Sequence, residues 1–239
     1  MGAFLLLFVD RKGAPATLPG DLTALSHYAR ELADAGKLLR AGRLDAQAAG
    51  VQISVRDGET LVTDGPFAES HEAVGGFWLV EAASQDAAVA IARRAFELGE
   101  PRPEARHGAI DVHAVATRYS VRPDPGNGVP FLLAFCNDPH LVDCDQQKLR
   151  EMIDYGAALE RDGKLFETTP LARSGPSPRV ESRGGKTLVT EGPFAEAKEV
   201  IGGYTLLRAS SRAEAIEIAR HYPAARWGTV EVREILESK

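Results

Sequence analysis

Apolar positions follow two different periods along this chain, and each period occurs twice. Residues 4–9 form an unbroken apolar run of strand length, and so do residues 131–136. Runs this short and this apolar predict strands buried on both faces. Leu22, Leu25, Tyr28, Ala29 and Leu32 then recur at helical spacing, as do Leu149, Met152, Ile153, Gly156 and Leu159. Each helix is predicted to stop at a glycine, Gly36 or Gly163, because glycine tolerates the positive φ that closes a last turn. Lys37 and Lys164 open the next extended segments. Residues 51–55 alternate as a strand, Asp57-Gly58 marks a hairpin turn and residues 60–63 return. Gly184-Gly185 holds the same place later in the chain. Residues 74–82 and 201–209 predict further strands. Ser84 and Ser211 read as helix N-caps, with Glu214 completing a capping box in the second case alone. The helices that follow carry Ala88, Ile91, Ala92 and Ala95, or Ala215, Ile218, Ala219 and Tyr222, on one face. Short strands close each series at residues 109–115 and 229–235.

The doubling is a sequence repeat. Displacing the chain by 127 positions aligns residues 4–93 with 131–220 without a gap, with 32 identities in 90 pairs. Residues 96–103 are extra in the first copy, and the alignment resumes at His107 and Trp227. A period this long is that of a small domain. The chain therefore divides into copy 1 (residues 1–117), an exposed linker rich in proline and glycine (118–130) and copy 2 (131–239). Within each copy the order is strand, helix, strand pair, strand, helix, strand. That order predicts the α+β class, in the form of a ferredoxin-like unit with an added hairpin. A sheet with helices on one face leaves the other face to be covered. The expected cover is the sheet of the other copy, giving an intramolecular pseudo-dimer.

Composition narrows the setting. Hydrophobic residues at 44% and charged residues at 26% are those of a globular protein. A net charge of −6, with Lys and Arg scattered, argues against a nucleic-acid partner. The opening apolar run lacks a basic lead and is short for a signal peptide or a membrane span, so no membrane partner is expected. Cys136 and Cys144 match no zinc or redox spacing and read as plain thiols in a reducing cytoplasm. Phosphate-loop and hydrolase-elbow patterns are missing from the sequence. Neither a cofactor nor a metal is expected.

Candidate chemistry gathers in one repeated stretch. Thr63-Asp64-Gly65-Pro66-Phe67-Ala68-Glu69-Ser70-His71-Glu72 leads into Gly75-Gly76. It returns as Thr190-Glu191-Gly192-Pro193-Phe194-Ala195-Glu196-Ala197-Lys198-Glu199, leading into Gly202-Gly203. Asp64 ends a strand before a proline-fixed turn. Its carboxylate either accepts backbone N–H bonds in that turn or stands at a sheet edge as a general base or ligand acceptor. Glu191 carries the second carboxylate one bond further out. Glu69 with Glu72, and Glu196 with Glu199, share a face if helical, as ligand contacts or as a solvated surface. His27 on the first helix, replaced by Asp154 in copy 2, reads as a catalytic candidate or a surface histidine. Tyr28 and its twin Tyr155 read as ligand donors or as packed tyrosines with rim hydroxyls. The Gly-Gly pairs mark a bulge or a close approach of backbone or ligand.

The long motif, followed by Gly-Gly-aromatic, a helix and a closing strand, resembles the YCII-related family, specifically its DGPF branch. The resemblance covers both copies. It implies a dimeric α+β barrel of ferredoxin-like units and a cytoplasmic bacterial protein. It also implies a gene neighbourhood shared with extracytoplasmic-function sigma factors. The wider family includes an enzyme that eliminates chloride from a lactone-like intermediate, with a His–Asp pair as its proposed site. By that resemblance the catalytic set is Asp64 with His27 or His71, possible in copy 1 alone because copy 2 has Asp154 and Lys198. The expected function is binding of a small organic molecule, with cofactor-independent elimination or isomerisation as the reaction class. The alternative is a non-catalytic ligand-binding or regulatory module tied to sigma-factor-type transcriptional control. A third reading is an assembly protein, the pseudo-dimer forming a further homo-oligomer. Whether the chain is an enzyme is left open by these residues.

Overall fold

A computed structural model describes residues 1–11, 22–44, 50–65, 72–99, 108–118, 123–137, 146–172, 177–191 and 200–236. In chain order the elements are β1 (Gly2–Arg11), α1 (Leu22–Asp34), β2 (Leu38–Leu44), β3 (Val51–Arg56), β4 (Glu59–Asp64), β5 (Glu72–Ala82), α2 (Gln85–Gly99) and β6 (Ala109–Ala114). They continue as β7 (Val129–Asn137), α3 (Gln146–Arg161), β8 (Leu165–Pro170), β9 (Pro178–Arg183), β10 (Lys186–Glu191), β11 (Val200–Ala209), α4 (Arg212–His221) and β12 (Thr229–Leu236).

Two compact units result, and neither is one sequence copy. The first comprises Met1–Ala46, Ala68–Val115 and Ser174–Ala195; the second comprises Gln47–Phe67, Ala116–Arg173 and Glu196–Lys239. The sheet of the first unit runs β10-β9-β6-β1-β5-β2, antiparallel throughout. The sheet of the second unit runs β4-β3-β12-β7-β11-β8, again antiparallel. The last four strands of each have the fourth-first-third-second order of a ferredoxin-like unit, so the chain is α+β as its pattern predicts. The added hairpin, however, is exchanged. The β3–β4 hairpin of copy 1 docks on β12, and the β9–β10 hairpin of copy 2 docks on β6.

The hairpins suit this use. Asp57 and Gly58 have φ of 52° and 82°, and Gly184 and Gly185 have 57° and 75°, the tight turn whose twist matches its strands. The inner strand of each hairpin supplies core. Val51 and Ile53 are fully buried opposite Val232 and Val230. Val180 is fully buried opposite Ile110.

One core lies between sheet and helices in each unit. The first gathers Phe4, Leu6, Trp78, Val80, Ala88 and Ala92 with the hairpin's Val180. The second gathers Phe131, Leu133, Leu207, Ala215 and Tyr222 with the hairpin's Val51 and Ile53. The sheet faces away from the helices are buried too, through Leu5, Leu7, Phe77 and Leu79 in one unit and Leu132, Tyr204 and Leu206 in the other.

The Gly-Gly pairs are structural on both counts anticipated. Gly75 and Gly202 fall at shifts in register, where one strand carries an extra residue. A Cβ on Gly76 would stand 2.9 Å from the Gly42 carbonyl oxygen, and one on Gly203 2.8 Å from that of Thr169. The neighbouring strand is that close, so a side chain does not fit.

The exchange is directly testable. Gln52 and Glu231 face each other across β3 and β12. Opposed residues of an antiparallel pair are about 4.5–5.5 Å apart at Cα, within disulfide range. The double variant Gln52→Cys, Glu231→Cys is expected to oxidise to a bridge within one chain, seen by peptide mapping as a link between the two copies. Failure to bridge would place the hairpin elsewhere.

Candidate functional site

Asp64 closes β4, an outer strand whose described partner is β3, and its side chain is 79% exposed. Its neighbour is the half-exposed Arg212 at the start of α4, with Nη2 3.7 Å from Oδ1. An exposed pair at that distance contributes about 0–1 kcal/mol and does not fix the carboxylate. Gly65 N–H donates to the Gly50 carbonyl at 2.9 Å, which extends the β3–β4 ladder by one step. Glu191, the counterpart, closes β10 in the first unit and is likewise exposed.

His27 belongs to the first unit and faces water on α1, with its side chain 71% exposed and Nδ1 3.2 Å from Glu31 Oε1 one turn on. Tyr28, the next residue, turns inward and packs at an angle to Trp78, ring centroids 6.2 Å apart. Burial raises its phenol pKa, Arg94 opposes that, and Glu31 adds to it. Tyr155 is committed more firmly. Its hydroxyl donates to the Ile218 carbonyl at 2.8 Å, and its ring meets Tyr222 edge-on at 5.0 Å. Burial first, then Tyr222 and Glu217, pushes its pKa up to about 12. Both phenols are therefore neutral at ordinary pH. Glu72 opens β5 opposite Arg11. His71, Glu69, Glu196 and Glu199 lie outside the described residues. Among the described residues no cluster of His, Cys, Asp and Glu could hold a metal ion, and no helix is long and apolar enough to cross a membrane.

Two polar clusters escape sequence reasoning. In the first unit, exchange sets β9 against β6, and four side chains meet. Arg179 holds Asp111 through two bonds, Nε to Oδ1 at 2.6 Å and Nη2 to Oδ2 at 2.8 Å. Two residues along, Ser177 Oγ lies 3.0 Å from His113 Nδ1. All four residues are part-exposed. Burial lowers the His113 pKa below the usual imidazole value; Asp111 pulls it up and Arg179 pushes it down.

The same positions in the second unit hold Gly50, Gln52, Glu231 and Arg233. There Arg233 Nη1 donates to Glu231 Oε1 at 3.1 Å. A Cβ on Gly50 would meet Arg233 Cδ at 2.8 Å and Glu231 Oε1 at 2.9 Å. The arginine thus occupies the room that Ser177 uses in the other unit. Each acidic residue keeps one arginine, but in the first unit that arginine comes from the hairpin, and position 113 is released for an imidazole.

The other cluster is deep in the second unit. Glu167 is fully buried and accepts from Tyr204 Oη at 2.8 Å and from Arg118 Nε and Nη2 at 3.2 and 3.1 Å. Burial and then the Glu167 charge raise the Tyr204 pKa. On the other face of the sheet Thr168, Thr205 and Tyr222 join hydroxyls, Thr205 Oγ1 lying 2.8 Å from both partners. Sequence offered one signal for the first of these groups. Glu167 and Thr169 alternate as the polar face of a short strand that a solvent-facing reading would leave exposed.

Comparison with known proteins identifies the two sequence copies. The sequence model of the YCII-related domain matches the chain twice, over residues 3–115 and 130–239. A protein of Rhizobium meliloti (strain 1021), itself described as uncharacterised, is 38% identical over 92 residues, covering 38% of this chain and 70% of that protein. The crystal structure of a protein provisionally described as a chlorite dismutase aligns with 99% of this chain and 96% of its own, at 10% identity and a TM-score of 0.38. That likeness is too loose to bear on function.

Two expectations concern these clusters. Glu167→Ala leaves the buried Tyr204 hydroxyl and Arg118 without their acceptor and should cost about 3–5 kcal/mol in urea unfolding. An effect under about 1 kcal/mol would mean that water replaces the carboxylate. His113 is harder to protonate folded than unfolded, so the unfolded chain takes up its proton first as pH falls. Its contribution is fully present above about pH 6.5, the unfolded value, and is lost as pH drops through the lower folded value. His113→Gln should flatten that part of the stability profile, measured by thermal melts across the acid range.

Proposed function

We propose, from the premise that this chain belongs to the YCII-related domain family, that it binds a small organic molecule through Asp64. The chemistry proposed is cofactor-free acid–base chemistry of the elimination or isomerisation type. One observation carries this reading: the Asp64 carboxylate stands 79% exposed beside Arg212. A carboxylate so placed can take a proton from a ligand carbon or hydroxyl, while the adjacent guanidinium holds an anionic or carbonyl oxygen. His27, which belongs to the first unit where Asp64 belongs to the second, and His71 are carried by the family resemblance alone. Glu191, Glu69, Glu72, Glu196 and Glu199 are proposed as further ligand contacts. Membership of the DGPF branch, a cytoplasmic setting and closure of the chain as an intramolecular α+β barrel belong to the same proposal.

A second reading has its own observation. An Asp64 surrounded by water lacks the dry, preorganised setting in which a carboxylate does most for a transition state. That favours a non-catalytic module in which the Asp64–Arg212 pair recognises a polar ligand, a regulatory one in sigma-factor-type control.

Asp64→Asn separates them. Lactones and 2-oxo acids are incubated in D2O with wild type and variant, and exchange at the carbon next to the carbonyl is followed by NMR. The first reading expects exchange with wild type and none with Asp64→Asn. Ligand-induced thermal shifts without exchange would establish the second. Unfolding stability should change by no more than about 0.5 kcal/mol; a larger loss would return Asp64 to a structural role.

A further inference from the structure

We propose that His113, Ser177, Asp111 and Arg179 form a second ligand site, in the first unit, that accepts a proton from a small, weakly acidic hydroxyl compound of the phenol or enol class. Asp64 belongs to the second unit.

The fold does not require these side chains. The same sheet position in the second unit is filled by Gly50 and Arg233, with Arg233 bonded to Glu231. An equivalent pair of strands closes there without a serine or an imidazole. Ser177 with His113 is therefore a local departure, and it is a coordinated one. A side chain at position 177 needs room that an arginine at position 113 would take. The arginine that answers the acidic residue has moved to the hairpin, as Arg179.

The surroundings suit proton transfer. In the β1–β6 register His113 lies opposite Leu5, and Leu5 lies opposite Leu79 in β5. Both leucines are buried, so one flank of the imidazole is dry. The imidazole favours its neutral form and so offers a lone pair, while the charge formed on taking up a proton is opposed by burial and favoured by Asp111. The other three groups stay part-exposed, so a ligand has a way in.

The transfer balances as a relay. The ligand O–H proton passes to Ser177 Oγ while the serine proton passes to His113 Nδ1, 3.0 Å away. The products are a bound oxyanion and an imidazolium. Asp111, two residues away on the same strand face, stabilises that imidazolium, and Arg179 keeps the carboxylate in place. No redox partner or co-reactant is needed.

The probe is 4-nitrophenol, whose phenolate absorbs in the visible. At a pH below its own pKa, wild-type protein is expected to bind it saturably and raise the phenolate absorbance. It should also shift the His113 ring resonances in an NMR titration. His113→Gln should lose about tenfold or more in affinity, the usual effect of one hydrogen bond to a charged group, together with the phenolate signal. Ser177→Ala should retain weak binding without phenolate. Saturable binding that leaves the His113 resonances unmoved in wild type would overturn the proposal, as would a lack of saturable binding. The wild-type titration decides the matter even where a variant fails to fold, and its readout at His113 does not depend on whether Asp64 binds anything.

Discussion

The ladders that join β3 to β12 and β9 to β6 complete both units of this chain, and the rest of the structure presupposes them. Each brings buried side chains into a core built by the other copy: Val51 and Ile53 in one direction, Val180 in the other. Fully burying one such side chain is worth about 1.5–3 kcal/mol. Two or three of them amount to a substantial share of the 5–15 kcal/mol or so by which a domain is ordinarily stable. A copy without the other's hairpin would have an open edge at its last strand and a gap in its core. Covalent duplication supplies that hairpin at high effective concentration, and the entropy of closing the long intervening loop grows only slowly with its length.

The hairpin can be traded because it is locally complete. Two six-residue strands and a two-residue turn fix its register without outside help. Alone it would be marginal, since two strands bury too little. Docked, it covers one side of the core and presents its outer strand to water. Leu61 and Val62 on β4, and Leu188 and Val189 on β10, remain exposed. The carboxylates of Asp64 and Glu191 end those same outer strands. The most recognisable chemistry of the sequence is therefore carried on the element that leaves its own copy.

Much of the fold was legible because periodicity reports local geometry. The buried runs, the helices ending at Gly36 and Gly163, and the Asp57-Gly58 turn each follow from constraints within a few residues. The destination of the hairpin does not. Residues 110–112 and 230–232 offer nearly the same apolar-acidic-apolar edge, so alternation along β3 fits either. Charge distinguishes them. Kept within copy 2, the hairpin would bring Arg179 to Glu231, which already has Arg233, and Asp111 would face Gln52. Exchange gives each acid one arginine. That pattern was visible in the sequence, but only by comparing four positions across two copies. Site chemistry was less legible still. Tyr28 and Tyr155 occupy matching positions, yet the Tyr155 hydroxyl goes to the Ile218 carbonyl 63 residues away, which no spacing rule predicts. His113 and Ser177 are 64 apart and meet through the exchange alone.

Duplication leaves the scaffold in common and lets polar positions diverge, and the divergence has a direction. In the second unit several buried polar groups are paired off. Glu167 takes Tyr204 and Arg118, Glu231 takes Arg233, and the hydroxyls of Thr168, Thr205 and Tyr222 take one another. Groups matched this completely stabilise and specify a fold but have little left to offer a ligand. In the first unit Phe77 stands where Tyr204 does, and the position of Arg233 is His113. A phenylalanine asks for no partner, and a neutral imidazole bonded to a serine retains a second nitrogen. Reactive capacity requires a polar group whose bonding is incomplete yet held in place, and among the described residues that requirement is better met by His113, bonded to Ser177 two residues along from a clamped Asp111, than by the saturated groups of the other unit.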